Sequence, residues 1–260
     1  MSESATATGG GGGAAWAHRL NLGHLLQRRE FSLLIILAAV VVMLSVMTDS
    51  FTTPGNIRVL LQGMTVDMII AVPMAISLIA GNIDFSVGSN VALTSTTAGL
   101  LLAAGMPVPA VLVVVLVLGA TLGLVNAVFV EKLKITPLVA TLGTWMAYKG
   151  LALVIAGGRT IGDFPEEFTM LGRMEPFGIP ISIIYMLLAI VAGVLVMKYV
   201  RFFNNAYYLG ANRESARLAG INVPRFTYAS FAITGMMAAF AGLVLAARLG
   251  AASQQAGDGL

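Results

Sequence analysis

The sequence predicts an all-α integral membrane protein, a polytopic helical bundle with about seven spans and a cytoplasmic N-terminus. Of its 260 residues, 58% are hydrophobic and only 10% are charged, whereas soluble domains carry about 25% charged residues. Such a chain cannot cover a globular surface with polar groups, so its outer surface must face lipid. Apolar runs long enough to cross a bilayer recur along it, since about 20 apolar residues suffice for a helix.

The composition also excludes several kinds of site. The chain has no cysteine, which rules out disulfides and thiolate metal sites. Both histidines, His18 and His24, lie near the N-terminus, which argues against a histidine metal centre. No Gly-x-x-x-x-Gly-Lys-Ser/Thr motif occurs, so this chain does not bind ATP through a P-loop. We expect no catalytic residue, no metal site and no cofactor in it.

Seven apolar runs are predicted to span the membrane, separated by polar or Pro/Gly-rich turns. Residues 1–29 are predicted to be a disordered, basic cytoplasmic tail, because small and polar residues precede the first arginines. The first run is interpreted as a retained span, since no small-x-small cleavage site follows it. The runs are residues 31–48, 59–80, 87–104, 110–130, 136–156, 181–197 and 226–247.

Three features within this pattern predict local structure. Pro73 stands inside the second run and predicts a kink there. The loop at 157–180 is polar and rich in Gly and Pro, and we expect it to hold a short amphipathic helix. Gly119 and Gly123 form a Gly-x-x-x-Gly pair in the fourth run. Either they let two helices approach closely, or the helix faces lipid and its glycines are incidental.

Lys and Arg are distributed unequally between the two predicted sides. Ten lie on the side of the N-terminus, four lie on the other side, and Lys149 falls within a span. This asymmetry predicts the orientation, with residues 81–90 near the inner side and residues 157–180 outside. The charge therefore carries topology information and does not indicate a nucleic-acid surface. The inner ten are Arg19, Arg28, Arg29, Lys132, Lys134, Lys198, Arg201, Arg213, Arg217 and Arg225.

Residues 81–90 interrupt the apolar sequence with a carboxylate, hydroxyls, amides and glycines. Polar interruptions at this depth mark binding sites and pathways in transport proteins. Asp84 has two readings. It caps the third helix by accepting N–H bonds from Ser86 or Val87, or it contacts a transported solute.

The longest inner loop, residues 198–225, predicts a short helix. Asn212 is a good N-cap and Gly220 can end the helix. The loop is either a docking element for a cytoplasmic partner or a surface helix that carries inner positive charge.

Four segments in this order resemble the signatures of one family, the membrane permease subunits of bacterial ATP-binding-cassette importers for ribose, xylose and related sugars. The resemblance covers roughly residues 30–260, which we interpret as one permease domain. The segments are residues 81–88, residues 135–144 with 150–152 and 157–158, residues 212–223, and residues 238–249.

The resemblance implies a function and a set of partners. The chain would form the translocation path for a monosaccharide such as ribose or xylose, in a multi-pass protein of the bacterial inner membrane. Partners would be a second permease copy, identical or related, a periplasmic sugar-binding protein, and a cytoplasmic ATP-binding subunit that holds ATP and Mg and hydrolyses the ATP. The chain itself would be no enzyme, and besides these proteins it would contact membrane lipid.

The resemblance also assigns candidate residues to two sites. Sugars are neutral and rich in hydroxyls, so a path for them needs scattered weak hydrogen-bonding groups. The path candidates are Asn82, Asp84, Ser86, Thr94, Asn126 and Thr141. The candidates for the ATPase-coupling loop are Asn212, Arg213, Glu214, Ala216, Arg217 and Gly220.

Two departures from the family pattern affect these expectations. Asn82 and Phe85 stand where the family has glycine and leucine. Asparagine tolerates positive φ better than most residues, so we expect the turn to survive. Family members have about ten spans, so the end at Leu260 predicts a truncated sequence.

Two rival functions remain at this point. A secondary transporter driven by protons or sodium would use Asp67, Asp84 and Lys149 as relay groups. Within the family, the solute could also be something other than a sugar.

Overall fold

The computed structural model describes residues 29–259, so the predicted tail lies, apart from Arg29, outside the described residues. This part of the chain is helical, with one isolated antiparallel bridge between Ile161 and Ala252. Its α-helices are α1 (Arg29–Met47), α2 (Pro54–Gly63), α3 (Thr65–Ile79), α4 (Val87–Ala103), α5 (Val108–Glu131), α6 (Pro137–Ala156), α7 (Glu166–Arg173), α8 (Ile181–Tyr199), α9 (Arg201–Ala211), α10 (Arg213–Leu218) and α11 (Val223–Leu249).

The predicted all-α, polytopic class is confirmed. Between residues 29 and 259, α5, α6, α8 and α11 are long and apolar enough to cross a membrane, and the bent pair α2–α3 forms a possible fifth span. The two remaining predicted spans coincide with shorter apolar helices, residues 31–47 and α4. The described chain divides into one compact unit that ends at Arg58 and a second that begins at Val59.

The second predicted span breaks at Met64 and not at Pro73. Helix α2 ends at Gly63 and α3 begins at Thr65, and glycine costs a helix about 1 kcal/mol relative to alanine. Pro73 lies buried inside α3, which continues to Ile79. Neighbouring helices in a membrane protein can support a helix through a proline, so α3 continues past Pro73 and the break in this span lies at Met64.

Helices α5 and α11 cross at glycines, which decides between the two readings of Gly119 and Gly123. A Cβ atom on Gly119 would lie 2.5 Å from the carbonyl oxygen of Gly235, and one on Gly123 would overlap the carbonyl oxygen of Phe231. A Cβ on Gly235 would in turn overlap the carbonyl oxygen of Gly119. The glycines therefore allow close backbone approach, and α11 packs against α5 along this contact.

Helix α4 is enclosed by α5, α6 and α11, and 13 of its 17 residues are buried. Most of its hydroxyls donate to nearby backbone carbonyl oxygens, whereas Thr96 Oγ1 is buried without a hydrogen-bond partner. Thr94 Oγ1 lies 2.6 Å from Asn90 O, and Thr97 Oγ1 lies 2.8 Å from Leu93 O. Burial of these polar side chains is therefore compatible with the apolar surroundings.

The outer loop holds the predicted short amphipathic helix, α7. Phe168 of α7 is fully buried. The Arg173 guanidinium donates to the carbonyl oxygens of Arg248, at 2.9 Å, and Leu249, at 3.0 Å. These are the last carbonyls of α11, which a cation stabilises, so α7 ties the outer loop to the end of that helix.

The inner loop contains two helices, of which the sequence predicted one. In α10, Asn212 Oδ1 accepts a bond of 2.9 Å from the N–H of Ser215, and Gly220 follows the helix with a φ of 84°. The predicted cap and stop are thus confirmed. Helix α9 was not predicted, and it packs Phe202 and Phe203 around Phe226 of α11.

Candidate functional site

Residues 80–86 form the turn between α3 and α4, and their polar groups face inward. Gly81 has a φ of 79°, whereas Asn82 is not among the residues with positive φ in the described chain. The turn is therefore present, as expected, but its positive φ lies at Gly81 and not at Asn82. The preceding glycine takes that conformation, which leaves the Asn82 side chain free to form contacts across the bundle.

Asp84 lies two residues before Ser86, the N-cap of α4, and it accepts the backbone bond from Ser86 that the capping interpretation predicted. Its side chain is 1% exposed. Its Oδ1 atom accepts bonds from Ser86 N at 2.9 Å and from Ser86 Oγ at 2.7 Å. A carboxylate in this position satisfies a backbone donor that the helix cannot.

Asn126 of α5 and Thr144 of α6 extend this cap into a cluster across three elements. Asn126 Nδ2 donates to Ser86 Oγ at 2.7 Å and to Asp84 Oδ1 at 3.4 Å. Asn126 Oδ1 accepts from Thr144 Oγ1 at 2.7 Å. We call Asp84, Ser86, Asn126 and Thr144 the polar cluster. Its members satisfy one another, so it holds the turn against α5 and α6.

Asn82 connects the same turn to two other helices. Its Nδ2 donates to Ser230 Oγ of α11 at 3.3 Å, and its Oδ1 accepts from the Arg213 guanidinium of α10. Arg213 also donates to Ala80 O at 3.4 Å. The Asn82 side chain therefore links the turn to the inner-loop helix and to α11.

The remaining path candidates, Thr94 and Thr141, are buried but lie apart from the polar cluster's hydrogen bonds. Thr141 Oγ1 donates to Pro137 O at 2.8 Å and lies 3.4 Å from Ile83 O. The structure thus brings Asp84, Ser86 and Asn126 together and places Asn82 beside them.

Sequence reasoning missed two buried groups at the helix contacts. Asn90 Nδ2 donates to Gly235 O at 3.3 Å and to Gly119 O at 3.4 Å, at the crossing of α5 and α11. Tyr148 donates from its hydroxyl to Leu122 O at 2.9 Å. The available signal for Asn90 was its amide at the end of the polar stretch 81–90, since such residues hydrogen-bond across helices in membranes.

An ion-coupled transporter would need Asp67, Asp84 and Lys149 as relay groups, and these three residues lie in two separate places. Asp67 and Asp84 line one cavity of about 330 Å³. Lys149 forms an ion pair with Asp258. Within residues 29–259, no group of three or more His, Cys, Asp or Glu residues is placed to hold a metal ion.

The candidate residues of the inner-loop helix α10 differ in their exposure to solvent. Ala216 is 4% exposed and packs in the apolar cluster beneath α10. Glu214 and Arg217 are exposed, and the neighbouring Leu218 is 81% exposed. Ala216 therefore holds α10 against the bundle, whereas Glu214, Arg217 and Leu218 are exposed.

Known proteins resemble this chain over most of its length. Residues 55–260 match the family described as "branched-chain amino acid transport system / permease component". A ribose import permease protein of Haemophilus influenzae is 34% identical over 237 residues, which are 90% of this chain and 72% of that protein. Autoinducer 2 import system permease proteins of Salmonella typhimurium and Photorhabdus luminescens are 34% and 33% identical over 195 residues, 73% of this chain. The chain spans 59% of the length of these two relatives. No solved structure matches it.

Proposed function

Because this chain belongs to the family of transport-system permease components, we propose that it is the transmembrane permease subunit of an ATP-driven importer in the bacterial inner membrane. The family resemblance read from the four motifs is confirmed. The apolar helices of the structure fit a multi-pass protein. ATP binding and hydrolysis then belong to a separate subunit.

A monosaccharide such as ribose or xylose is the solute that we propose. The similarity to a ribose import permease over 90% of this chain carries this assignment. A neutral, hydroxyl-rich solute also suits a chain whose buried polar side chains are chiefly hydroxyls and amides. The relatives that import autoinducer 2 support a second candidate within the same class of importer, a small non-sugar solute.

We further propose that the ATP-binding subunit docks on α10 and that a sugar-binding protein docks on the outer loop. On α10, the exposed Glu214, Arg217 and Leu218 supply mixed charge around an apolar side chain. On the outer loop, the fully exposed Phe177 offers an aromatic contact. A second permease copy would complete the translocation path.

Movement of α10 would reach the path through Arg213 and Asn82. When the ATPase subunits close and open, α10 moves with them, and the guanidinium contact transmits the motion to the turn before α4. The polar cluster couples that turn to α5 and α6, so the spans can alternate access. Tight solute binding would then reside in the external binding protein, because a tight site in the permease would slow release.

Arg217 and Arg213 are expected to affect coupling in different ways. Arg217→Glu should weaken ATPase-subunit binding without changing the thermal stability of the permease, because Arg217 is exposed. Arg213→Gln should lower both stability and coupling, because it removes a charged hydrogen bond worth about 1.5–3 kcal/mol. Pull-down of the ATPase subunit and thermal unfolding of the purified permease check the two variants.

Asn82→Gly provides the matched test of the Arg213 contact. If the contact couples α10 to the turn, Arg213→Gln and Asn82→Gly should be non-additive, with a coupling energy of about 0.5–3 kcal/mol. Additive effects on transport and stability would contradict this role.

The solute can be identified through the binding protein. The permease is co-expressed with candidate ATPases and binding proteins, and each binding protein is screened for stabilisation by individual pentoses, hexoses and autoinducer 2. Ligand binding stabilises a folded protein with the logarithm of ligand concentration over its dissociation constant. We expect stabilisation by one monosaccharide. Stabilisation only by a non-sugar solute would overturn the sugar assignment and leave the importer class intact.

A further inference from the structure

A groove between α3 and α8 opens on the surface of the helix bundle and has a volume of about 470 Å³. The two helices meet closely at Gly193, where an added Cβ would overlap the Val72 side chain. Both walls are aliphatic, so the groove suits a hydrocarbon chain. The walls include Val72, Ala75, Ile76, Ile79, Ile190 and Val194.

One end of the groove is polar. Lys198, at the end of α8, and Asn204 and Tyr207, on α9, line it there. A second cavity of about 550 Å³ shares Asn204 and Tyr207 and adds Arg201. The two cavities therefore meet at a surface that combines two cations with amide and phenol groups.

The charge at this end has one sign. Residues 198–211 contain Lys198 and Arg201 and no acidic residue. Within residues 29–259, neither cation takes part in an ion pair, and the Lys198 ammonium lies 5.1 Å from the centre of the Tyr199 ring. The distribution of Lys and Arg along the sequence places this end on the cytoplasmic side.

Helix α9 has the form of a helix that lies in a membrane interface. It buries Ala206 and Leu209 against the bundle and exposes Arg201, Tyr207 and Tyr208. Tyrosine is enriched at the level of lipid headgroups, and basic amphipathic helices bind anionic lipid surfaces.

We propose that this groove binds an anionic phospholipid of the cytoplasmic leaflet. One acyl chain lies between α3 and α8, and the phosphate lies between Lys198 and Arg201, with Asn204 and Tyr207 donating further hydrogen bonds. Basic pockets between helices on the cytoplasmic side have the chemistry that holds such headgroups. The site does not depend on the identity of the transported solute.

Native mass spectrometry of the purified full chain tests this site. Micelles are supplemented with phosphatidylglycerol or with phosphatidylcholine of the same acyl chains. We expect retained phosphatidylglycerol in preference to phosphatidylcholine. Lys198→Gln with Arg201→Gln should weaken phosphatidylglycerol binding roughly thirtyfold, since each of the two surface cations contributes about 1 kcal/mol and about 1.4 kcal/mol is a factor of ten.

Two further variants separate the headgroup site from general charge and from the acyl groove. Lys132→Gln with Arg225→Gln removes the same charge from exposed positions on the same predicted side and should leave binding unchanged. Ala75→Phe fills the groove and should lower occupancy by both lipids.

Three results would overturn the proposal: no preference for the anionic lipid, equal loss in the Lys132/Arg225 control, or dissociation of permease dimers by Ala75→Phe with lipid binding intact. The last result would make this face an interface between permease copies.

Discussion

Gly123→Ala is expected to destabilise the permease strongly. The new Cβ atom would overlap the carbonyl oxygen of Phe231 on α11, and a backbone atom cannot move aside as a flexible side chain can. Overpacking of this kind costs about 1–3 kcal/mol, and occasionally more. Because backbone meets backbone here, we expect a loss at the upper end of that range, seen as a lower unfolding temperature and less folded protein in gel filtration.

Gly143→Ala is the matched control for this packing. Gly143 lies in α6, and nothing stands within 4 Å of an added Cβ there. Alanine also favours a helix over glycine by about 1 kcal/mol. Gly143→Ala should therefore leave stability unchanged or raise it. Equal unfolding temperatures for Gly123→Ala and Gly143→Ala would contradict the close backbone contact between α5 and α11.

Asp84→Ala is expected to have a comparably large effect, and the effect should be on stability. It leaves the Ser86 N–H and the Asn126 amide without their carboxylate acceptor, and each unsatisfied buried group costs about 1–3 kcal/mol. Asp84→Asn keeps one acceptor oxygen and should lose less. Thermal unfolding of the purified permease without solute should therefore rank wild type above Asp84→Asn and Asp84→Asn above Asp84→Ala.

The Asp84 variants also distinguish a structural role of Asp84 from a role in binding solute alone. A solute ligand would give Asp84→Ala normal stability and defective transport. Asp67→Ala is the control, because Asp67 is exposed and lines the same cavity. It should change stability by no more than about 0.5 kcal/mol. Loss of transport in Asp67→Ala with normal stability would favour the ion-coupled alternative.

Local and compositional features of the fold could be predicted from the sequence. Hydropathy located each apolar segment, because the length of a span is fixed by the thickness of the bilayer. The cap at Asn212 and the stop at Gly220 were predictable because they depend on residues a few positions apart. The bond from the Ser86 N–H to Asp84 was predictable for the same reason, because the two residues are two positions apart.

The contacts between distant segments could not be predicted in this way. Asn82 and Arg213 are 131 positions apart in the chain, and nothing local to either residue indicates the other. Gly119 and Gly123 indicated close packing, yet only the structure identifies Gly235 as their partner. Helix α9 was missed because its Asn and Tyr residues lower the mean hydropathy of this segment, so the segment was interpreted as a loop. Its two buried residues, Ala206 and Leu209, are too few to indicate an amphipathic helix by themselves.

The central claim, that this chain is the permease of an ATP-driven sugar importer, is tested most directly by uptake into proteoliposomes. The vesicles contain the permease with its ATPase subunit, and labelled ribose or xylose is offered with the external binding protein. The account predicts uptake that requires ATP, the ATPase and the binding protein together and that persists when an ionophore collapses ion gradients. Uptake by the permease alone, driven by a proton or sodium gradient and abolished by the ionophore, would contradict it.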